Sequence, residues 1–413
     1  MIKTKQIIGP FSQIVTMKGL PPNGSITDEQ MDIIPDGGII IENGIIQKCD
    51  SFESLKNEMD FLNTEFLEIK KELVLLPGLI DAHTHICYAG SRSAEYAMRL
   101  AGKSYLEIAK QGGGIMSTVR QTRKASLAEL VESLKMRCSD LLADGITTCE
   151  VKSGYGLTVA DELKMLQAIQ IVNEEHEIDL IPTALPAHVC PPEFDDPMNY
   201  IQMIIKELLP EIASQKLASR ADIYIDEGAF NLEQGKAYLN AAQKHGFSVT
   251  IHADQFRVAG SQLAVEYNAI SADHLEASGQ EEIELLATHQ ITGVALPGAS
   301  IGLGLPFTPA RKILNAGIAL VIASDWNPGS APMGDLLVQA CLLGVYEKLS
   351  LAETLAGITT RAAMVLECPD RGMLEAGKIA DMIAFPCDNY QEIIYRQGKM
   401  NPVFVWKKGK KIK

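Results

Sequence analysis

The sequence predicts an α/β protein: a (β/α)8 barrel of the TIM type beside a small β-sandwich domain assembled from both termini. Three observations predict it. Eight short apolar runs alternate with longer helical stretches through the middle of the chain. Both ends of the chain read as strands, and five of the eight histidines stand at or just past the ends of the apolar runs.

The elements follow in chain order. Near the start, Gly38–Ile46 sets two apolar runs around Asn43-Gly44, the strongest short-range hairpin signal. The barrel strands are expected at Leu73–Asp81, Ile146–Ser153, Leu180–Pro186, Asp222–Gly228, Phe247–His252, Ile270–His274, Ile291–Pro297 and Ala319–Asp325. Intervals such as Ala160–Glu174 and Asn231–His245 are long enough for the connecting helices. Gly377–Phe385 and Pro402–Trp406 return to strand character. The expected division is a barrel over residues 73–365 and a discontinuous β-sandwich over 1–72 and 366–413. Barrels routinely exceed the ~150 residues of an average domain as one unit, so this length needs no third domain.

Composition removes several function classes. Hydrophobic residues at 46% and charged residues at 22% are globular values, which excludes a disordered chain. A net charge of −15 argues against nucleic acid or an anionic membrane as partner. No apolar run approaches the ~20 residues of a membrane span. The start Met1-Ile2-Lys3-Thr4-Lys5 lacks the apolar stretch of a secretory signal, so the cytoplasm is the expected location. Cys49, Cys87, Cys138, Cys149, Cys190, Cys341, Cys368 and Cys387 are scattered without a CxxC. Reduced core thiols are expected, and a structural zinc ribbon is excluded.

Active sites of such barrels collect at the carboxyl ends of the strands. His83 and His85 follow the first strand, Tyr155 the second and His188 the third; His252 ends the fifth, His274 the sixth and Asp325 the eighth. In His83-Thr84-His85 the period of two sends both imidazoles to one side of an extended chain. His252 adds a third nitrogen and Asp325 an oxygen, a set that suits zinc or iron and leaves room for water. Such a water ionises near pH ~7. Asp325 and His274 are the candidates to take its proton. Plainer alternatives stay open for single residues: a helix N-cap for Asp325, a core histidine for His274, a surface salt bridge for Arg92 and a packed aromatic for Tyr155. The run Gly112-Gly113-Gly114 lacks the Lys-Ser/Thr of a phosphate-binding loop and reads as a tight loop near the barrel mouth.

The run Pro77–His85 resembles the opening strand of the amidohydrolase superfamily, and Gly372–Asp381 resembles that superfamily's return to its β domain. Within it, Ala89–Arg92, Gly112–Ile115, Glu150–Leu157, His252–Gln255, Ser271–Glu276 and Asp325–Ser330 resemble the imidazolonepropionase family, in order along the whole barrel. The resemblance implies hydrolysis of the ring C–N bond of 4-imidazolone-5-propanoate to N-formimidoyl-L-glutamate, in histidine degradation. It implies one metal, zinc or iron (ferrous or ferric), on His83, His85, His252 and Asp325. It implies substrate contacts from Arg92, Tyr155, His188, Gln255, Asn327, Gly329 and Ser330, and a homodimer. The residue types agree: Arg92 can clamp the propanoate bidentately, and Tyr155 offers a hydroxyl on a Gly-flanked loop. Asn327 and the Gly329 and Ser330 amides could hold tail or ring.

Two departures narrow this. Relatives with two metals bridge them by a lysine ending the fourth strand, and here that strand has none while Lys152 belongs to the second; one metal is expected. Deaminase relatives usually carry glutamate where Gln255 stands, and an amide cannot donate and recover a proton near neutral pH. The proton work then falls to His274 and Asp325, with Gln255 on the ring. The runner-up is another mononuclear cyclic amidohydrolase or a deaminase of a heterocyclic base. A metal-free scaffold would have shed ligands first, and all four are present.

Overall fold

The computed structural model describes residues 5–58, 64–103 and 113–413, and its strands form two eight-stranded sheets. The first is mixed. It is built from β1 (Lys5–Val15), β2 (Ile33–Glu42), β3 (Ile45–Ser51), β4 (Thr64–Glu68) and β5 (Val74–Pro77), joined by three strands from the far end of the chain, β14 (Met382–Phe385), β15 (Phe404–Lys407) and β16 (Lys410–Lys411). Its order is β16-β15-β14-β5-β1-β2-β3, with β4 paired to β1. The predicted hairpin is β2–β3, turning at Asn43 (φ 54°) and Gly44 (φ 78°). Two successive positive φ values match the right-handed strand twist, which is why Asn-Gly is favoured there. Alternation of side chains gives the sheet apolar packing on both faces: Ile8, Phe11, Ile39, Ile41 and Trp406 cluster on one, Ile7, Ile40, Phe52 and Leu55 on the other.

The second sheet is the barrel: β6 (Leu79–Asp81), β7 (Ile146–Lys152), β8 (Asp179–Ala187), β9 (Arg220–Ile225), β10 (Ser248–Ala253), β11 (Ser271–His274), β12 (Thr292–Ala295) and β13 (Leu320–Ile322), each beside the next. Its strands are buried almost end to end, as parallel strands covered on both faces must be. An isolated bridge between Thr84 and Trp326 brings the first strand's extension to that of the eighth and nearly closes the ring.

All eight predicted barrel strands are present, with one change. The apolar run from Leu73 to Asp81 is two strands, because the chain changes sheets at Gly78. Pro77 has no N–H to donate, the Gly78 N–H bonds Asp381 O (2.9 Å), and the Leu79 N–H bonds Gly145 O (2.9 Å). The connecting helices start where local chemistry starts them. Val159–Glu175 begins at Thr158, whose side chain accepts from Asp161 N, and Leu232–Lys244 begins at Asn231 with a reciprocal capping box to Gln234.

Two compact units comprise Met1–Ala82, Ser139–Thr148 and Asp335–Lys413 in one, and His83–Cys138 and Cys149–Gly334 in the other. All eight cysteines are free thiols, and burial pushes those of Cys87 and Cys138 up to about 12. Among the described residues no helix is long and apolar enough to cross a membrane.

Candidate active site

Backbone pairing places the first candidate ligands. The His83 carbonyl accepts from the Asp325 N–H (3.0 Å), the His85 N–H donates to Trp326 O (3.0 Å), and Thr84 O accepts from the Lys152 N–H (3.0 Å). The segment is thus held extended on both sides, and both imidazoles leave it beside Asp325. His83 Nε2 and His85 Nε2 are 3.2 Å apart, and His252 Nε2 is 3.3 Å from His85 Nε2. Asp325 Oδ1 lies 3.6 Å and 3.4 Å from the nitrogens of His83 and His85. A tetrahedral cation with ligands at ~2.0–2.2 Å requires donors about 3.3–3.6 Å apart, which is the spacing among His83, His85 and Asp325 and between His85 and His252.

Two carboxylates stand behind the imidazoles of His83 and His252. Asp273 Oδ2 is 2.6 Å from His83 Nδ1, and Asp222 Oδ2 is 2.9 Å from His252 Nδ1. Asp273 accepts the Nδ1–H bond of His83, and the Asp222 charge beside His252 Nδ1 favours the same tautomer, so each Nε2 presents a lone pair to the centre. Lone pairs facing each other at this range repel unless a cation lies between them. Burial, then the Lys152 charge, hold His83 well below the usual imidazole range, and burial lowers His85 against the pull of Asp325. Neutral imidazole is the ligating form. Asp325 itself is held low: burial opposes ionisation, but its hydrogen bond and charge interaction with His85 outweigh it. His274 also converges with His83 and His252, within 4.8 Å, so it borders the same centre.

Lys152 anchors the carboxylates. Wholly buried, its Nζ lies 2.7 Å from Glu150 Oε2, 2.8 Å from Asp222 Oδ2 and 3.9 Å from Asp273 Oδ2. Burial favours the neutral amine, yet the charges of Asp222, Glu150 and Asp273 prevail and keep it protonated.

The backbone bends sharply where the chemistry sits. His274 (φ 84°), Leu275 (φ 67°) and Asp325 (φ 51°) adopt left-handed conformations that cost of order 1–3 kcal/mol each and gather at functional sites. Burial works against charge on His274, but Glu276, 3.4 Å from its Nδ1, together with Asp325 and Asp273, raises its pKa above the usual value. Ser300 Oγ donates to Glu276 Oε1 (3.1 Å), which fixes that partner.

One cavity gathers most of the sequence-predicted residues: His85, Arg92, Tyr155, His188, His252, Gln255, His274, Asp325, Asn327, Gly329 and Ser330. His188 stacks on His85 with ring centroids 5.1 Å apart, and its Nδ1 meets Gly154 O at 3.1 Å. Gln255 Oε1 accepts from Tyr224 Oη (2.7 Å), which turns its amide NH2 away from the tyrosine. Arg92 Nη2 and Nε both reach Glu95 Oε2, at 2.9 and 3.0 Å, and the same oxygen accepts from Gly114 N. The turn after Asp325 differs from expectation: the Gly329 and Ser330 N–H groups both donate to Asn327 Oδ1 (2.8 Å each). Asn327 Nδ2 in turn donates to Asp325 Oδ2 (3.0 Å). The turn satisfies itself and steers the Asp325 carboxylate. Asp325 caps no helix. Of the glycine run, Gly112 lies outside the described residues, and Ile115 borders the cavity.

Sequence reasoning missed Asp222, Asp273 and Lys152 behind the histidines, and Tyr224 behind Gln255. It also missed Glu162. This buried carboxylate accepts from the N–H groups of Gly154 (3.0 Å), Gly156 (2.7 Å) and Leu157 (2.8 Å), and so shapes the loop that presents Tyr155. Its first-turn position in a helix was the only local signal.

Comparison with known proteins places the chain in a family. Residues 74–412 match the amidohydrolase family. Curated relatives include imidazolonepropionases from Bdellovibrio bacteriovorus (37% identical, covering 97% of this chain and 95% of the relative), Treponema denticola (39%, 91% and 91%) and Geobacillus kaustophilus (38%, 96% and 95%). Among solved structures, an adenosine deaminase from Xanthomonas campestris with bound zinc superposes with a TM-score of 0.72 at 16% identity, covering 99% of this chain and 92% of that one. A triazine hydrolase variant gives 0.76 at 18%, covering 98% and 94%. At such identity these two speak for the fold alone.

Proposed function

The chain belongs to the amidohydrolase family and, within it, to the imidazolonepropionase family, and from that premise we propose that it opens the ring of 4-imidazolone-5-propanoate. It is a metal-dependent hydrolase of a cyclic amide C–N bond. The observation that carries the reading is the gathering of His83, His85 and the Asp325 carboxylate at 3.2–3.6 Å, with His252 3.3 Å from His85, in a cavity that also holds arginine.

His83, His85, His252 and Asp325 would hold one cation, zinc or iron, both of which accept imidazole and carboxylate. When bound, it supplies Lewis acidity and a water acidic enough to ionise near neutral pH. Asp325, aimed by Asn327, receives a proton from the attacking water and passes it to the ring nitrogen that leaves. His274, whose pKa Glu276 raises, donates toward the carbonyl oxygen as negative charge grows there. Tyr155, His188 and Gln255 hold the ring, and Arg92 meets the propanoate, with Asn327, Gly329 and Ser330 forming the wall beside Asp325. Water adds across the amide bond and gives N-formimidoyl-L-glutamate. Deamination is the weaker reading, since Gln255 is an amide whose oxygen is already engaged by Tyr224. We infer a homodimer in the cytoplasm from the family resemblance and the free thiols.

The test is mass spectrometry of fresh 4-imidazolone-5-propanoate incubated with metal-replete protein. A product one water heavier, with the fragmentation of N-formimidoyl-glutamate, supports the assignment. An unchanged substrate overturns it.

A further inference from the structure

The cavity holds a second arginine. Arg99 lines it together with Arg92, and the two guanidinium groups meet the same backbone, at Gly329. Arg92 lies against the glycine so closely that a Cβ there would stand 2.2 Å from its Nη1. Arg99 donates from Nη2 to Gly329 O (2.8 Å) and from Nη1 to Gly302 O (3.0 Å).

Their partners differ. Arg92 is paired with Glu95, which grips it at two nitrogens. Among the described residues Arg99 is bonded only to neutral carbonyl oxygens. Arg92, Glu95 and Arg99 together therefore carry one surplus positive charge, spread over the two guanidinium groups. A guanidinium has five N–H groups, so two backbone bonds leave donors for an anion. Partial burial and the charge of Arg92 both press against protonation of Arg99, which is what two cations sharing one wall produce. A carboxylate placed there relieves that repulsion.

We propose that Arg99 is a further specificity-determining residue, which shares the substrate's carboxylate with Arg92. The inference rests on the functional reading above and deepens it: the preferred ligand is a five-membered nitrogen heterocycle bearing a short carboxylate tail. The backbone bonds to Gly302 and Gly329 hold the Arg99 fork before substrate arrives, so little side-chain freedom is lost on binding.

The experiment compares the metal-replete wild type with R99Q and R99K by calorimetry. The probes are imidazole-4-propanoate and its uncharged primary amide, and the KM for 4-imidazolone-5-propanoate is measured alongside. R99Q is expected to weaken the propanoate about 10- to 100-fold, the range of a charge-assisted hydrogen bond pair, while the amide changes less than about threefold. R99K keeps the charge without the fork and is expected to fall between, with KM following the propanoate affinity. Equal losses for both probes, or no loss for either, overturn the role of Arg99. A wild type that turns over no imidazolone overturns the functional reading instead, so the two failures are distinct.

Discussion

Lys152 Nζ lies 2.8 Å from Asp222 Oδ2, and both side chains are wholly buried. A lysine of the second barrel strand thus stands two contacts from the metal centre, through Asp222 to His252 and, more distantly, through Asp273 to His83. Three carboxylates share its charge, and each has a further duty.

Removing that charge leaves buried anions without a partner. Lys152→Met is expected to lower unfolding stability by about 3–5 kcal/mol, the cost of breaking a buried pair. Urea unfolding of chelator-stripped protein measures this. A loss below about 1 kcal/mol would show that the carboxylates protonate or rearrange freely, against the rigid network described.

The same network sets a pH dependence. Burial pushes Asp222 up, but the charges of His252 and Lys152 outweigh it and hold the carboxyl well below its usual range. An acid whose folded-state pKa is depressed lends stability above its unfolded value of ~3.9, and that stability is lost as pH falls through the folded value. Chelator-stripped wild type is therefore expected to lose stability steeply as the pH drops below about 4, and Asp222→Asn to start lower and fall less. Parallel curves for the two proteins would remove Asp222 as a source of the slope.

Glu162 tests the loop rather than the metal. Glu162→Gln keeps one oxygen for Gly156 and Leu157 but turns an NH2 on the Gly154 N–H, which disturbs the loop that presents Tyr155. The expected result is a KM raised about tenfold with kcat within a few-fold, from one lost buried hydrogen bond. Stability should change little, because burial already raises the Glu162 pKa against its hydrogen bonds, and the amide sheds that charge. Unchanged KM in steady-state kinetics would acquit the loop of any part in binding.

The barrel was legible because it is written in short-range patterns, and the same patterns single out a candidate ligand set. Histidines at the ends of apolar runs announce a strand-end site, and His83-Thr84-His85 carries its geometry in its spacing. The split at Gly78 was not legible, since one apolar run serves two sheets and only Pro77-Gly78 marks the exchange. Lys152, Asp222 and Asp273 look like ordinary charged interruptions of apolar strands until the barrel brings them under the imidazoles. Arg99 and Glu95 read as surface charges on a short helix, Ser93–Leu100, and their meeting with Gly329 depends on a turn far along the chain. Motif spacing reveals the groups that touch a metal; the groups that orient those groups come from other strands and leave no spacing to read.

The most direct test strips the protein with a chelator and titrates zinc or ferrous iron back while following hydrolysis of 4-imidazolone-5-propanoate and bound metal together. Wild type is expected to regain full turnover at one equivalent of tightly bound metal, and Asp325→Ala to neither retain metal nor recover activity. Full turnover by the stripped protein, or by Asp325→Ala, would contradict the four-residue centre on which the whole account stands.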